Sequence, residues 1–285
     1  MSKANSTFIG SPFPRLEDDR ILRGHGKYVD DVTYPRETRA YFLRSNVAHG
    51  FIKGIDVSEA YSIDGVLAIY TVEDWIADDM GEIPCVSIPP TITSKEWFKT
   101  PFKPFAKDKV ICVGQIVAMI IAENYYAAMD AAELIRLDIE SLPSVTSVEN
   151  ALKPNAPLVW PENNSNICFT HELGNKSNAD AAFENAHKII SFETYNQRLA
   201  SNTLEPRGCV AYYDFGEERY HLHSSTVNPH RIRLLLAENL LKVPAHKVHV
   251  VASDVGGGFG TKGGVYPEEA LVTWACKKIG RPVKW

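Results

Sequence analysis

Apolar and polar positions along this 285-residue chain fall into short blocks of changing period. Tyr28–Val32 and Arg39–Arg44 predict short strands. Gly65–Val72 (GVLAIYTV) clusters β-branched and aromatic residues and predicts a buried strand, with a short helix behind it at Val72–Asp79. Ile83–Pro104 is rich in Pro and Thr, has no clear period and reads as a surface loop. Lys109–Glu123 (KVICVGQIVAMIIAE) predicts one or two buried strands. Asn124 can cap the helix that follows to about Arg136, with Ala128, Ala131, Ala132 and Ile135 on one stripe. Ile139 and Val145 mark a last extended stretch, broken by Pro143.

Pro154–Asn178 loses this periodicity and is rich in Asn and Pro, as a linker is. Beyond it, Ala179–Ala186 predicts a short helix and Lys188–Gln197 a long strand. Cys209–Asp214 and Arg219–Ser225 predict a hairpin turning at Phe215–Glu218. Asn228-Pro229 is an Asx cap followed by Pro at the first helical position, and Ile232, Leu235, Leu236 and Leu240 form the apolar stripe of that helix. Lys247–Ala252 predicts a strand and Pro267–Ile279 a helix stopped by Gly280. Arg281–Trp285 reads as the start of a further strand without polar terminus, so the second unit is expected to be cut short. The expected fold class is α+β, divided into an arm (1–16), a first unit (17–150), a linker (151–178) and a second unit (179–285).

Composition narrows the function classes. Apolar residues make up 45% and charged residues 23%, as in a globular chain. The net charge of −5 argues against a nucleic-acid footprint, which needs a basic face. The five cysteines lie far apart with no C-x-x-C pair, which argues against zinc or an iron–sulfur cluster held here and for reduced, mostly buried thiols in a cytoplasmic setting. Met1–Asp19 lacks an apolar signal-peptide core, and the longest apolar run, Val110–Ala122, falls short of the roughly 20 residues a membrane span needs.

The candidate chemistry centres on Gly256-Gly257-Gly258-Phe259-Gly260, after the strand ending at Ser253-Asp254. Glycines there allow close backbone approach to a phosphate or bulky cofactor, or serve a plain strand-to-helix turn; both readings stand. Walker A fails, because Gly260-Thr261-Lys262-Gly263 lacks Gly-Lys-Ser/Thr. A dinucleotide fingerprint at Gly258, Gly260 and Gly263 lacks the acidic residue about 20 positions on, where Pro282-Val283-Lys284 stands. Glu205-Pro206-Arg207 reads as a loop-ordering or structural ion pair. His221 and His223 share one strand face without a visible third metal ligand. Glu268 and Glu269 suit a helix N-terminus through the macrodipole.

Four segments, in order, resemble the molybdenum-binding large subunit of the xanthine dehydrogenase/aldehyde oxidase/carbon monoxide dehydrogenase family. They are Arg15-Leu16-Glu17-Asp18 with Arg20 and Gly24–Asp31; Val113–Ala118 with Asp130–Leu134 and Leu142-Pro143; Glu205-Pro206-Arg207-Gly208; and Asp254–Lys262 with Pro267-Glu268-Glu269 and Gly280–Trp285. The resemblance implies an α/β hammerhead domain followed by the incomplete first part of a molybdopterin-binding domain. It implies hydroxylation of an aldehyde, N-heterocycle or similar small substrate with water-derived oxygen. The cofactor would be molybdenum–molybdopterin in its cytosine dinucleotide form, with iron–sulfur clusters and FAD on partner subunits. Gly257, Gly258, Phe259 and Gly260 would line the cofactor, with the Phe259 backbone nearest the metal. Val227 stands where the family usually has a Gln that hydrogen-bonds an oxo ligand of molybdenum, and Gly263 where purine oxidisers carry a glutamate. The family's glutamate base falls beyond Trp285, so no catalytic residue is expected in this chain and the isolated chain is expected not to turn over. The alternative is a non-catalytic remnant or assembly subunit of such a complex.

Overall fold

The computed structural model describes residues 9–86 and 97–285. Residues 87–96 of the predicted surface loop and the first eight residues of the arm lie outside them. The strands are β1 (Thr38–Arg44), β2 (Gly50–Asp56), β3 (Val66–Tyr70), β4 (Lys109–Val110), β5 (Ile116–Ala122), β6 (Arg136–Ser141), β7 (Cys209–Asp214), β8 (Arg219–Ser224), β9 (Val248–Val251) and β10 (Val283–Lys284). The α-helices are α1 (Asp18–Leu22), α2 (Val72–Ala77), α3 (Tyr125–Leu134), α4 (Val148–Ala151), α5 (Lys176–Glu184), α6 (Pro229–Leu234) and α7 (Pro267–Ile279). Mixed sheets and segregated helices make this the α+β class expected.

Seven strands form one sheet in the order β3-β5-β1-β10-β7-β8-β9, and β4-β2-β6 form a second. The larger sheet crosses from the first unit to the second through the last five residues of the chain. β10 runs parallel to β1 (Thr38↔Val283) and antiparallel to β7 (Val283↔Ala211), and Trp285 exchanges both backbone hydrogen bonds with Cys209. The strand expected at Arg281–Trp285 therefore has partners on both sides.

β5 is buried along its whole length. It lies between β3 and β1, covered on both faces, which is why it reads as an unbroken apolar run rather than an alternation. Ile116, Met119 and Ile121 join the core shared with Trp75, Leu271 and Trp274. Ala118, Ile120 and Ala122 face α3, whose Ala127, Ala128, Ala131 and Ala132 let the helix settle close on the sheet. Asn124 caps α3 by accepting from Ala127 N at 3.0 Å. α7 packs over β7, β8 and β10, with Pro267 in its first turn and Gly280 ending it at φ +62°. Trp75 and Trp274 meet edge to face at 5.3 Å between centroids, joining α2 to α7.

Three sequence expectations are corrected. Tyr28–Val32 forms a 3₁₀ turn at Val29–Asp31, not a strand. Its geometry presents the Asp30 and Val32 carbonyls to the buried ammonium of Lys284 at 2.6 and 3.0 Å, which an extended backbone in a ladder could not do. Lys188–Gln197 forms no strand, because no described residue pairs with its backbone. Of the five free cysteines only Cys209 and Cys276 are buried; Cys85 and Cys112 are exposed. β2 was not foreseen: it lies in the outer sheet, mostly exposed, and Gly50 breaks its pattern because a Cβ there would sit 2.5 Å from Ile139 Cγ2. Among the described residues, no helix is long and apolar enough to cross a membrane.

Candidate functional site

The segment between β9 and α7, Ala252–Tyr266, is fixed at three points. Asp254 accepts both arms of the Arg20 guanidinium at 2.6 Å and the Lys27 N–H at 2.7 Å. The Arg20 hydrogen bonds and the Lys27 N–H hold its carboxyl down at about 2. Gly256 donates its N–H to Glu205 Oε2 at 2.7 Å, and its backbone lies so close that a Cβ would meet Glu205 Cβ at 2.4 Å. Lys262 turns inward with its side chain wholly buried, 2.9 Å from Glu205 Oε2 and 2.8 Å from the Glu205 carbonyl oxygen.

Glu205 is the hub. It also accepts from Ser225 Oγ at 2.7 Å and Val29 N at 3.3 Å. Burial pushes its carboxyl up, but Lys262, Ser225 and the N–H groups of Gly256 and Val29 outweigh burial and keep it below the ordinary value. The Glu205-Arg207 ion pair expected from sequence does not form. Arg207 instead stacks 3.9 Å from the Tyr266 ring centroid and reaches Glu268 at 3.2 Å.

Between these anchors the chain stands free. Gly257 (φ +101°), Phe259 (φ +41°) and Gly260 (φ +87°) take the left-handed region, and Phe259 is 76% exposed. A Phe in that region is strained and persists there only because its surroundings hold it. The Phe259 carbonyl accepts from Ser201 Oγ at 2.8 Å, and the ring lies over Gly257, where a Cβ would meet Phe259 Cε2 at 3.2 Å. The Gly258 carbonyl accepts from both Thr261 N and Thr261 Oγ1 at 2.8 Å. Among the described residues, none accepts from the N–H groups of Gly257, Gly258, Phe259 or Gly260. Val227 adjoins this stretch: its N–H donates to the Lys262 carbonyl at 3.1 Å, and its Cγ1 lies where a Gly258 Cβ would touch it at 3.1 Å. Val227, Gly257, Gly258, Phe259 and Gly260 are thus brought together on one open surface.

Glu268 and Glu269 exceed the macrodipole reading. Glu268 is buried and held by Arg44 at 2.6 Å as well as by Arg207. Glu269 is buried and accepts from Ser224 Oγ and, at 2.9 Å, from Tyr266 N. Burial pushes its carboxyl up to about 7. His221 and His223 share a face, as expected, and are joined by His249 from β9, whose Nδ1 lies 3.3 Å from that of His221. Among the described residues, no group of three or more His, Cys, Asp or Glu side chains could hold a metal ion.

The loop thus presents bare backbone rather than side-chain ligands. Comparison with known proteins identifies the family. Residues 23–143 match the aldehyde oxidase and xanthine dehydrogenase a/b hammerhead domain, and residues 159–285 the molybdopterin cofactor-binding domain. The chain is 35% identical to the nicotine 6-hydroxylase large subunit of Paenarthrobacter nicotinovorans, over 97% of this chain and 33% of that protein. It is 33% identical to the carbon monoxide dehydrogenase large chain of Hydrogenophaga pseudoflava, over 94% of this chain and 34% of that one. Reconstituted CO dehydrogenase from Oligotropha carboxidovorans superposes with a TM-score of 0.84 at 32% identity, covering 97% of this chain and 34% of the other. Quinoline 2-oxidoreductase from Pseudomonas putida 86 does so at 0.83 and 30%, covering 98% and 34%. The chain thus spans about a third of the length of these relatives. It belongs to the xanthine dehydrogenase/aldehyde oxidase/carbon monoxide dehydrogenase family of molybdenum-binding large subunits, as a hammerhead domain followed by part of a molybdopterin-binding domain.

Proposed function

We propose that this chain supplies the cofactor-facing glycine loop of a molybdenum hydroxylase that oxidises an aldehyde, N-heterocycle or similar small substrate. The observation that carries the reading is the stretch from Gly257 to Gly260: unengaged N–H groups and bare Cα positions on an open surface, braced from behind by Glu205 and Lys262. The residues fit a molybdopterin. Gly257, Gly258, Phe259 and Gly260 would lie against it, with the Phe259 backbone nearest the metal. Val227 would offer it methyl groups where a Gln would offer a donor.

When bound, the molybdenum–pterin group supplies the two-electron oxidation of the substrate carbon. This chain's residues contribute position and exclude side chains from the cofactor's face. They do not contribute a base. The two carboxylates adjoining the loop, Glu205 and Asp254, are each committed to a cation and to backbone N–H groups. A general base needs a free lone pair aimed at the reacting proton. Catalysis therefore requires a carboxylate from elsewhere, and the chain alone is inactive. A cytosine dinucleotide form of the cofactor, and partner subunits carrying iron–sulfur clusters and FAD, complete the reading.

The test is molybdenum and pterin content of the chain co-purified with the polypeptides encoded beside its gene, together with oxidation of an aldehyde and an N-heterocycle. Stoichiometric molybdenum, lost in Gly258→Val and Gly260→Val, is expected. Neither metal nor pterin in the complex overturns the proposal. Val227, 60% exposed and apolar at the loop, favours the second reading, an assembly subunit that docks without holding cofactor. A stable complex free of molybdenum would select it.

A further inference from the structure

Residues 187–204 lead from α5 to the Glu205 turn without forming helix or strand. Their sequence is nonetheless that of a strand. Over Lys188–Gln197 (KIISFETYNQ), Ile190 and Phe192 fall on one side, Ile189 and Tyr195 on the other. Large apolar residues on both sides belong to a strand covered on both faces. Here they stand in solvent: Ile190 is 80% exposed, Phe192 87% and Leu199 87%. Among the described residues, no backbone group bonds to this stretch. An extended apolar segment with a row of open N–H and C=O groups is a template for strand addition.

The same segment feeds the glycine loop. A few residues on, Ser201 Oγ donates to the Phe259 carbonyl, and Thr203 lies where a Gly257 Cβ would touch its Cγ2 at 3.4 Å. Whatever fixes residues 188–197 therefore also restrains Ser201, which braces the strained Phe259, and Thr203, which lies beside Gly257.

We propose that Lys188–Gln197 is a strand whose neighbours lie outside this chain, in polypeptide equivalent to the two thirds of the relatives' length that the chain does not match, and that pairing there locks Ser201 and Thr203 against the glycine loop. The shared third of those relatives is the basis for this occupant. A second copy of this chain offers only the sheet edges β3, β9, β4 and β6, which the chain already has and with which the segment does not pair. The proposal rests on family membership and not on the chain's holding a cofactor, so it is read in metal-free protein, separately from molybdenum content.

The experiment is amide hydrogen exchange on the full chain alone and on the chain co-purified with the polypeptides encoded beside its gene. In the chain alone, amides of 189–197 exchange at nearly unprotected rates. In the complex they slow by about 100-fold or more, and Phe259 and Gly260 slow with them. Ile190→Asp with Phe192→Asp prevents the complex while the α7 amides keep their protection, which separates lost docking from lost folding. Three outcomes overturn the proposal: a complex in which 189–197 stay unprotected, no complex at all, or protection that rises with concentration in the chain alone, which assigns the segment to a second copy.

Discussion

The ammonium of Lys262 lies 2.9 Å from Glu205 Oε2, with no part of the lysine side chain exposed. This pair joins the turn before β7 to the far end of the glycine loop, 57 residues on. Removing one partner of a buried pair strands the other charge, at about 3–5 kcal/mol. Lys262→Met is therefore expected to lower stability by that order, read from the urea midpoint. Lys262→Met combined with Glu205→Gln should lose less than the sum of the two single changes, because the stranded carboxylate is gone. Additive losses would show that the two residues act independently.

Gly81 and Gly256 are required by close approach. A Cβ on Gly81 would sit 1.7 Å from the Asn239 carbonyl oxygen, in the π-helical turn Leu235–Leu240 that continues α6. A Cβ on Gly256 would sit 2.4 Å from Glu205 Cβ. Both obstacles are backbone or the base of a side chain, so relief needs the chain to shift. Gly81→Ala and Gly256→Ala should each destabilise by about 1–3 kcal/mol or more. Gly263→Ala meets nothing within 4 Å and should stay within about 0.5 kcal/mol of the parent. Thermal midpoints of the three variants decide the ranking.

These two relationships mark the limit of what sequence reading reaches. α7 was legible to the residue because its signals are local: Pro267 opens it, Gly280 closes it and the stripe between is apolar. β5 and the β7–β8 hairpin were legible for the same reason. The loop's open residues were legible as glycines. The Glu205–Lys262 and Arg207–Glu268 pairs were not, since both cross the fold and nothing in spacing says that Arg207 turns away from its near neighbour Glu205. Lys188–Gln197 shows the converse case, in which the local pattern is strong but a strand exists only with neighbours.

Arg20 and Asp254 hold the segment around Lys27 against the loop, with the Lys27 N–H donating to the Asp254 carboxylate and the Asp254 N–H donating to the Lys27 carbonyl at 3.0 Å. The depressed Asp254 carboxyl contributes stability that is present above its ordinary value near 3.8 and is lost as pH falls through about 2. The pair is solvent-exposed, so its effect is local. Arg20→Met should speed hydrogen exchange at Lys27 and Asp254 at neutral pH and leave α7 unchanged. The difference between variant and parent should shrink as pH falls through about 2. Equal exchange at neutral pH would mean that the backbone contacts alone hold the segment.

Glu269 gives the chain a pH dependence of opposite sign. Its carboxyl is buried beside Ser224 and Tyr266 N, with Arg207 favouring its charge and Glu268 opposing it. Burial raises it from 4.5 to about 7, so between those values the folded chain holds a proton that the unfolded chain releases. The resulting stability is fully present below pH 4.5 and is lost as pH rises through 7, a change of about 3 kcal/mol from the size of the shift. Gln at this position imitates the protonated acid, giving its amide N–H to the Ser224 hydroxyl and its carbonyl to the Tyr266 N–H. Glu269→Gln should therefore match the parent at pH 5 and exceed it at pH 8 by about 2–3 kcal/mol in denaturant titrations. Parallel pH profiles for parent and variant would place the proton elsewhere. Cys209, also buried and pushed up by burial and by Glu269, stays a neutral thiol throughout this range and cannot produce the same signature.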